Sequence, residues 1–295
     1  MNSTKQEFHA KYRYHPSGDH QPSPHGCVYS IFICQINLGN RSSLRAAGEN
    51  MTIGKPPETW YWSHDIESDQ IGGIVAPGMH LMRLSSYGTG SHRRFAALVF
   101  KDPGPECSYA LDLDAAAVET RLRETGARPV AITVDASGSQ PRFSLVLQKV
   151  PEPLSNLYVD LDETSVRKLL LDDHQNIADF VTYVTDGARK YAVILEERSG
   201  PSWFLTHVTA HELDVRLTEL GANLLRVRAY AEDGQRRFAA VAEQSSSVKW
   251  AWYADLDADA VASKLDANNA YPFDLDATRD ERGVRFTVVM YRDKP

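Results

Sequence analysis

Five segments of this chain repeat one pattern: a basic residue, an aromatic, then an apolar run. The aromatics Phe95, Phe143, Tyr191, Phe238 and Phe286 stand 48, 48, 47 and 48 residues apart. Chance does not keep a register over four intervals, so the chain is read as one small unit used five times. Three further columns recur with the same period. They are Ile66, Leu113, Leu161, Val208 and Leu256; Ile71, Val118, Val166, Leu213 and Val261; and Val75, Leu122, Leu170, Leu217 and Leu265.

The last two columns are four residues apart, the spacing of one helical face. Just before them come Glu67, Asp114, Asp162, Thr209 and Asp257, mostly the residue types that accept the free N–H groups of a helix start. Gly126, Gly221 and Asn269 follow where a left-handed stop belongs. After each predicted helix the pattern changes to period two. Leu225, Val227 and Ala229 alternate with Arg226, Arg228 and Tyr230, which predicts a half-buried strand. A turn such as Asp186-Gly187 or Asp233-Gly234 leads into the aromatic strand, completing a hairpin. A short aromatic strand precedes each helix, as in Trp60-Tyr61-Trp62 and Trp250-Ala251-Trp252.

The expected fold is therefore α+β, with five strand-helix-strand-strand units at about 58–100, 106–148, 154–196, 201–243 and 249–291. No such unit can bury its own apolar face, so neighbours must stack. Stacking would give either an open half-barrel or a closed, propeller-like five-fold ring. Residues 51–295 form this repeat domain and residues 1–50 an extension. The extension is expected to be largely disordered, with Val28–Ile36 as an extra strand that pairs with a terminal edge. An alternative is that the native chain starts at Met51.

Composition narrows the function classes. A net charge of −7 and a pI near 5.8 give no electrostatic footprint for nucleic acid or an anionic membrane. The apolar run Val28–Ile36 is far shorter than the roughly 20 residues of a membrane span. Cys27, Cys34 and Cys107 are too few for a disulfide framework or a thiolate zinc site. A cytoplasmic location is the default expectation, with secretion left open. No cofactor loop or complete catalytic motif is present. Ser165-Val166-Arg167-Lys168 matches the first element of a β-lactamase-like site, but Val166 belongs to a core column and no Lys-Thr-Gly follows.

The Arg-Phe-Ala-Ala-Val strand at Arg237–Val241, the tryptophan strand, the helix cap and the Tyr-x-x-Asp-Gly hairpins at Tyr183–Gly187 and Tyr230–Gly234 carry a resemblance. They resemble a bacterial tandem-repeat family that occurs beside the serine hydrolase domain of polyglycine hydrolases and in stand-alone proteins. The resemblance spans about 58–291 and is clearest in the fourth unit. It implies a repeat scaffold that helps recognise a peptide or polysaccharide-associated partner. The hydrolytic chemistry of that family resides in a separate domain, so no catalytic residue carries over.

The expected function is a non-catalytic scaffold or binding module for a peptide, protein or glycan, without cofactor or metal. Its candidate ligand-binding residues are Trp60, Trp62, Trp203, Trp250 and Trp252, whose flat faces suit sugars and peptides. In a closed array, units one, four and five would place them in one aromatic region. Arg226, Arg228 and Tyr230 form a polar anchor on what reads as the outward, variable strand face. Asp65, Asp112, Asp160, His207 and Asp255 recur at one edge and would either bind a cation or support the helix starts. The alternative is a hydrolase, in which folding brings Asp112, His207 and Asp255 together.

Overall fold

The computed structural model describes the backbone of residues 12–13 and 32–37 and, from residue 56, all positions except 76, 102–103, 151–154, 173–174, 198–199, 245–247 and 293–295. The histidines of the N-terminal extension and most of its length lie outside the described residues.

Two strands, β1 (Tyr12–Arg13) and β2 (Phe32–Asn37), precede the repeats. Unit one comprises β3 (Thr59–Ile66), a 3-10 turn (Ser68–Gln70), α1 (Ile71–Ile74), β4 (His80–Tyr87) and β5 (Arg94–Lys101). Unit two runs through β6 (Cys107–Leu113), α2 (Ala115–Thr125), β7 (Arg128–Asp135) and β8 (Arg142–Gln148). Unit three has β9 (Ser155–Leu161), α3 (Glu163–Asp172), β10 (Gln175–Thr185) and β11 (Ala188–Glu197). Unit four has β12 (Ser202–Val208), α4 (Ala210–Leu220), β13 (Ala222–Glu232) and β14 (Gln235–Gln244). Unit five ends the chain with β15 (Trp250–Leu256), α5 (Ala258–Asn268), β16 (Ala270–Asp280) and β17 (Gly283–Arg292).

Local chemistry accounts for these boundaries. Asp114, Thr209 and Asp257 each accept the N–H three residues on, and Asp162 does the same for Ser165. Gly126, Gly221 and Asn269 stop their helices at φ 57°, 56° and 47°. Unit one departs from the pattern. Gly72-Gly73 weakens its helix, which ends after a single α turn, so Val75 lies beyond it rather than in the apolar stripe. The turns Asp186-Gly187 and Asp233-Gly234 have positive φ at both positions, which matches the twist of a two-residue hairpin.

In every unit the last strand is central and the other two flank it, both antiparallel to it. The helix therefore links two parallel outer strands across the central one. The repeating aromatics Phe95, Phe143, Tyr191, Phe238 and Phe286 sit on the central strands and are all buried. Truncating one of these to alanine removes about 3–5 kcal/mol of packing. Outside the units, β2 pairs antiparallel with the outer edge of β3, from Phe32 opposite His64 to Asn37 opposite Thr59.

The units meet through their second strands. β4 lies against β7, β7 against β10, β10 against β13, and β13 against β16. β16 in turn lies against β4, so the first and last units touch. Ala277 N–H donates to Ser85 Oγ at 2.9 Å, and that hydroxyl donates to Asp276 Oδ1 at 3.3 Å. This placement corrects the expectation of a half-buried second strand. Arg226 and Arg228 read as facing outward, yet both are buried, as are Arg83, Ser85, Ala131, Thr133, Asp179, Val181, Asp274 and Asp276 at the matching positions of the other units. Both faces of these strands are covered because a neighbouring unit packs on each side.

If the contact between units one and five carries stability, Ser85→Val, which strands the Ala277 N–H, lowers stability by about 1–3 kcal/mol. That corresponds to about 2–4 °C of Tm per kcal/mol for a chain of this size. An unchanged thermal melt would show that the contact contributes nothing.

Candidate functional site

The column Asp65, Asp112, Asp160, His207 and Asp255 has a backbone explanation. All five residues have left-handed φ, between 58° and 63°. Each stands where the register of the first strand slips against the central one. Asp tolerates this conformation better than most residues, because its short polar side chain satisfies nearby donors. A tyrosine of the second strand secures the bulge in three units. The Tyr87, Tyr183 and Tyr230 hydroxyls accept from Asp65, Asp160 and His207 N–H at 2.8, 2.9 and 3.0 Å.

The side chains of the column do not converge on a cation. Arg93 holds Asp112 by two hydrogen bonds, and Arg282 and Arg236 hold Asp255 at 2.8 and 3.2 Å. His207 donates or accepts between Glu232 at 2.7 Å and Glu163 at 2.9 Å. Asp112, His207 and Asp255, the residues suspected of hydrolysis, are thus each engaged with different partners. Among the described residues no group of three His, Cys, Asp or Glu could hold a metal ion. Ser165 and Lys168 likewise form no site, since the Ser165 N–H serves the cap on Asp162 and Val166 is buried.

His207 nonetheless joins two units electrostatically. Its hydrogen bond to Glu232, with a second to Glu163, outweighs desolvation and raises its pKa above the usual imidazole value. Glu232 is lowered mainly by that same bond. Burial pushes Glu163 up, but bonds from Arg167, Thr206 and His207 together hold it below its ordinary value. Arg189 lies 3.7 Å over the Tyr230 ring and pairs with Glu232 at 3.4 Å.

Arg226 and Arg228 are not on a solvated face. Arg228 donates to Asp179 at 2.6 Å, to Asp274 at 2.7 Å and to the Phe180 carbonyl at 2.9 Å. Arg226 lies 3.6 Å from Asp179 and 4.0 Å from Asp274, and Arg83 lies 3.9 Å from Asp274. Asp276 completes the group, pushed up to about 6 by burial despite Arg228 and the Ala229 N–H. Burial opposes the charge of Arg228, but Asp274, Asp179 and Asp276 raise its pKa overall. Three guanidinium groups face three carboxylates in this cluster, and all six are buried away from solvent. Tyr230 is half-buried and occupied with His207 and Arg189.

The five tryptophans separate into different settings. Trp60 and Trp62 are buried, and Trp62 packs edge-on against Phe286 of unit five at 5.5 Å. Trp252 makes the equivalent contact with Phe238 of unit four at 5.5 Å. Trp203 is offset by one residue and lies on the other face of its strand, since it pairs with Ala242 whereas Phe204 matches Trp252. At the junction of units four and five two half-buried indoles, Trp250 and Trp252, line an open groove. Its volume is about 720 Å³, with Asp214, Leu217 and Thr218 of α4 on the facing wall. Trp252 Nε1 donates to Asp214 Oδ1 at 2.7 Å, which fixes the indole.

The sequence does not single out Cys107, which sits 3.3 Å from His80 Nδ1 with Gln148 Nε2 at 3.6 Å. The pair resembles a nucleophile and base, but burial raises the thiol above its ordinary value. Ser155 and Ser202 occupy the corresponding position in units three and four. They contact the preceding unit in the same way, at Pro129 O and Asn176 Oδ1. Cys107 with His80 is therefore one more contact between units. Among the described residues no helix is long and apolar enough to cross a membrane. No family model matches the chain, and no curated protein matches it.

Asp274→Leu removes two hydrogen bonds from a buried cluster and lowers stability by about 3–5 kcal/mol. Adding Arg228→Met restores part of that loss in chemical denaturation; strict additivity would show that the two residues do not interact. The His207 contribution is fully present below its unfolded pKa, about 6.5, and is lost as pH rises through its higher folded value. The Glu163 and Glu232 contributions run the other way and are lost at acid pH, below the ordinary carboxylate range. Between pH 6 and 8 the Tm of the native chain therefore falls more than that of His207→Asn, which keeps a residue suited to left-handed φ. Parallel profiles would rule out this role.

Proposed function

We propose that the chain is a non-catalytic binding module whose five units close into a ring, with its ligand site in the groove between α4 and β15. The ring is supported by side-chain contacts between every successive pair of second strands, including β16 with β4. The binding role rests on one observation above all. The matching Trp60, Trp62 and Phe204 are buried and Tyr109 is exposed singly, whereas Trp250 and Trp252 stand as a half-buried pair that borders open volume. A fixed, half-exposed indole pair offers a large contact area at little cost in side-chain freedom, the property of a recognition hot spot.

Peptide, protein and glycan ligands all suit such a surface. The acidic wall residue Asp214 argues for an uncharged or basic ligand over an acidic one. If the units belong to the repeat family they resemble, the same reading follows, because catalysis there lies outside the repeats. A hydrolytic alternative has only Cys107 with His80 to rest on, and a thiol held neutral by burial is a poor nucleophile.

Peptide and glycan arrays probed with the native chain and with the double variant Trp250→Ala, Trp252→Ala test the proposal. Ligands retained by the native chain should lose at least about 30-fold in affinity in the variant, the effect of removing a hot spot. Equal binding by both proteins, or none by either, would overturn it.

A further inference from the structure

The groove is bounded on one side by a helix face and on the other by five consecutive residues, Trp250 to Ala254. A strand that lines a groove with every residue presents its backbone edge as well as its side chains. Among the described residues β15 pairs only with β17, so its outer edge has no ladder partner. Unpaired edges of this kind accept a further strand.

The molecule already contains one such addition. β3 is the counterpart of β15 in unit one and carries the same Trp-x-Trp pattern in the same register. Trp60 and Trp62 stand opposite Phe100 and Leu98, and Trp250 and Trp252 opposite Tyr291 and Val289. The outer edge of β3 is filled by β2, with Ile36 opposite Trp60 and Cys34 opposite Trp62. At the edge of β12 a side chain intervenes instead. Arg167 of α3 donates to the Phe204 carbonyl at 3.3 Å and to Thr206 at 3.1 Å. The residue of α4 in the Arg167 position is Asp214, an acceptor that cannot satisfy a carbonyl and is bonded to the Trp252 indole.

We propose that the outer edge of β15 takes an extended peptide segment of a partner protein as an added antiparallel strand. This rests on the groove being the binding site and names the class of its ligand. The segment is uncharged and rich in apolar residues, as the sequence Phe32–Asn37 is. Backbone hydrogen bonds to β15 supply its affinity, and its side chains on one face meet Trp250 and Trp252.

The probe is a synthetic peptide of residues 30–39 with C34S and a solubilising lysine tail, titrated into the full chain by calorimetry and tryptophan fluorescence. Saturable binding is expected, weakened at least about tenfold when alternate peptide nitrogens are methylated, because methylation removes the donors of a strand ladder. Asp214→Arg, which places at α4 the cation that closes the β12 edge, should weaken binding to a similar degree without touching the core. Equal affinity for the methylated peptide, or binding unaffected by both Asp214→Arg and Trp252→Ala, would overturn strand addition. If the peptide does not bind but an array glycan does, and needs Trp250 and Trp252, the groove remains the binding site and strand addition fails.

Discussion

The structure depends on how the buried edges of its second strands are satisfied. Each of these strands lies at the side of its own sheet, so one row of its backbone groups has no ladder partner, and a neighbouring unit seals it from water. A buried N–H left unpaired costs about as much as a lost hydrogen bond. Here side chains of the next unit accept these groups. Ser86 N–H donates to Thr133 Oγ1, Ile132 N–H to Asp179, Val227 N–H to Asp274, Ala229 N–H to Asp276 and Ala277 N–H to Ser85 Oγ. Between units three and four the exchange runs from side chain to carbonyl, with Arg228 donating to Phe180 O. Units that share no backbone ladder are thereby held in one register.

That requirement explains the polar composition of the second strands. A carboxylate can accept one backbone N–H and still face a guanidinium, so Asp179 and Asp274 each serve a neighbouring backbone and Arg228 together. The charges must then balance within the cluster, because an unpaired charge at this depth is far more costly than a missing hydrogen bond.

The repeat, the helix caps at Asp114, Thr209 and Asp257, the left-handed stops and the Asp-Gly turns are all legible in the sequence, because each depends on residues a few positions apart. The polar face of the second strand is not. Alternation of Arg226, Arg228 and Tyr230 with apolar residues has the same period whether the polar side meets water or another unit. The balance of charge across units was the available signal: Arg226 with Asp179 and Asp274 in one column, Arg228 with Asp276 in the next. The acidic column misled for a different reason. Asp65, Asp112, Asp160 and Asp255 recur because the backbone needs residues that tolerate left-handed φ, a demand that composition cannot distinguish from a ligand set.

Differences between junctions, rather than the shared core, decide which strand edges are covered. The helix column Gly72, Glu119, Arg167, Asp214 and Ala262 varies freely, while the neighbouring apolar column stays Ile, Val or Leu. Gly72 leaves room for the Tyr109 hydroxyl, since a Cβ there would come within 3.0 Å of it. Arg167 closes the edge of β12, and β2 closes that of β3. Asp214 instead turns to an indole and leaves the carbonyl edge beside it open. A scaffold of five repeated units becomes asymmetric through one surface position per unit, at no expense to its core. The same economy leaves the apolar helix columns of units four and five buried on both sides of the open groove.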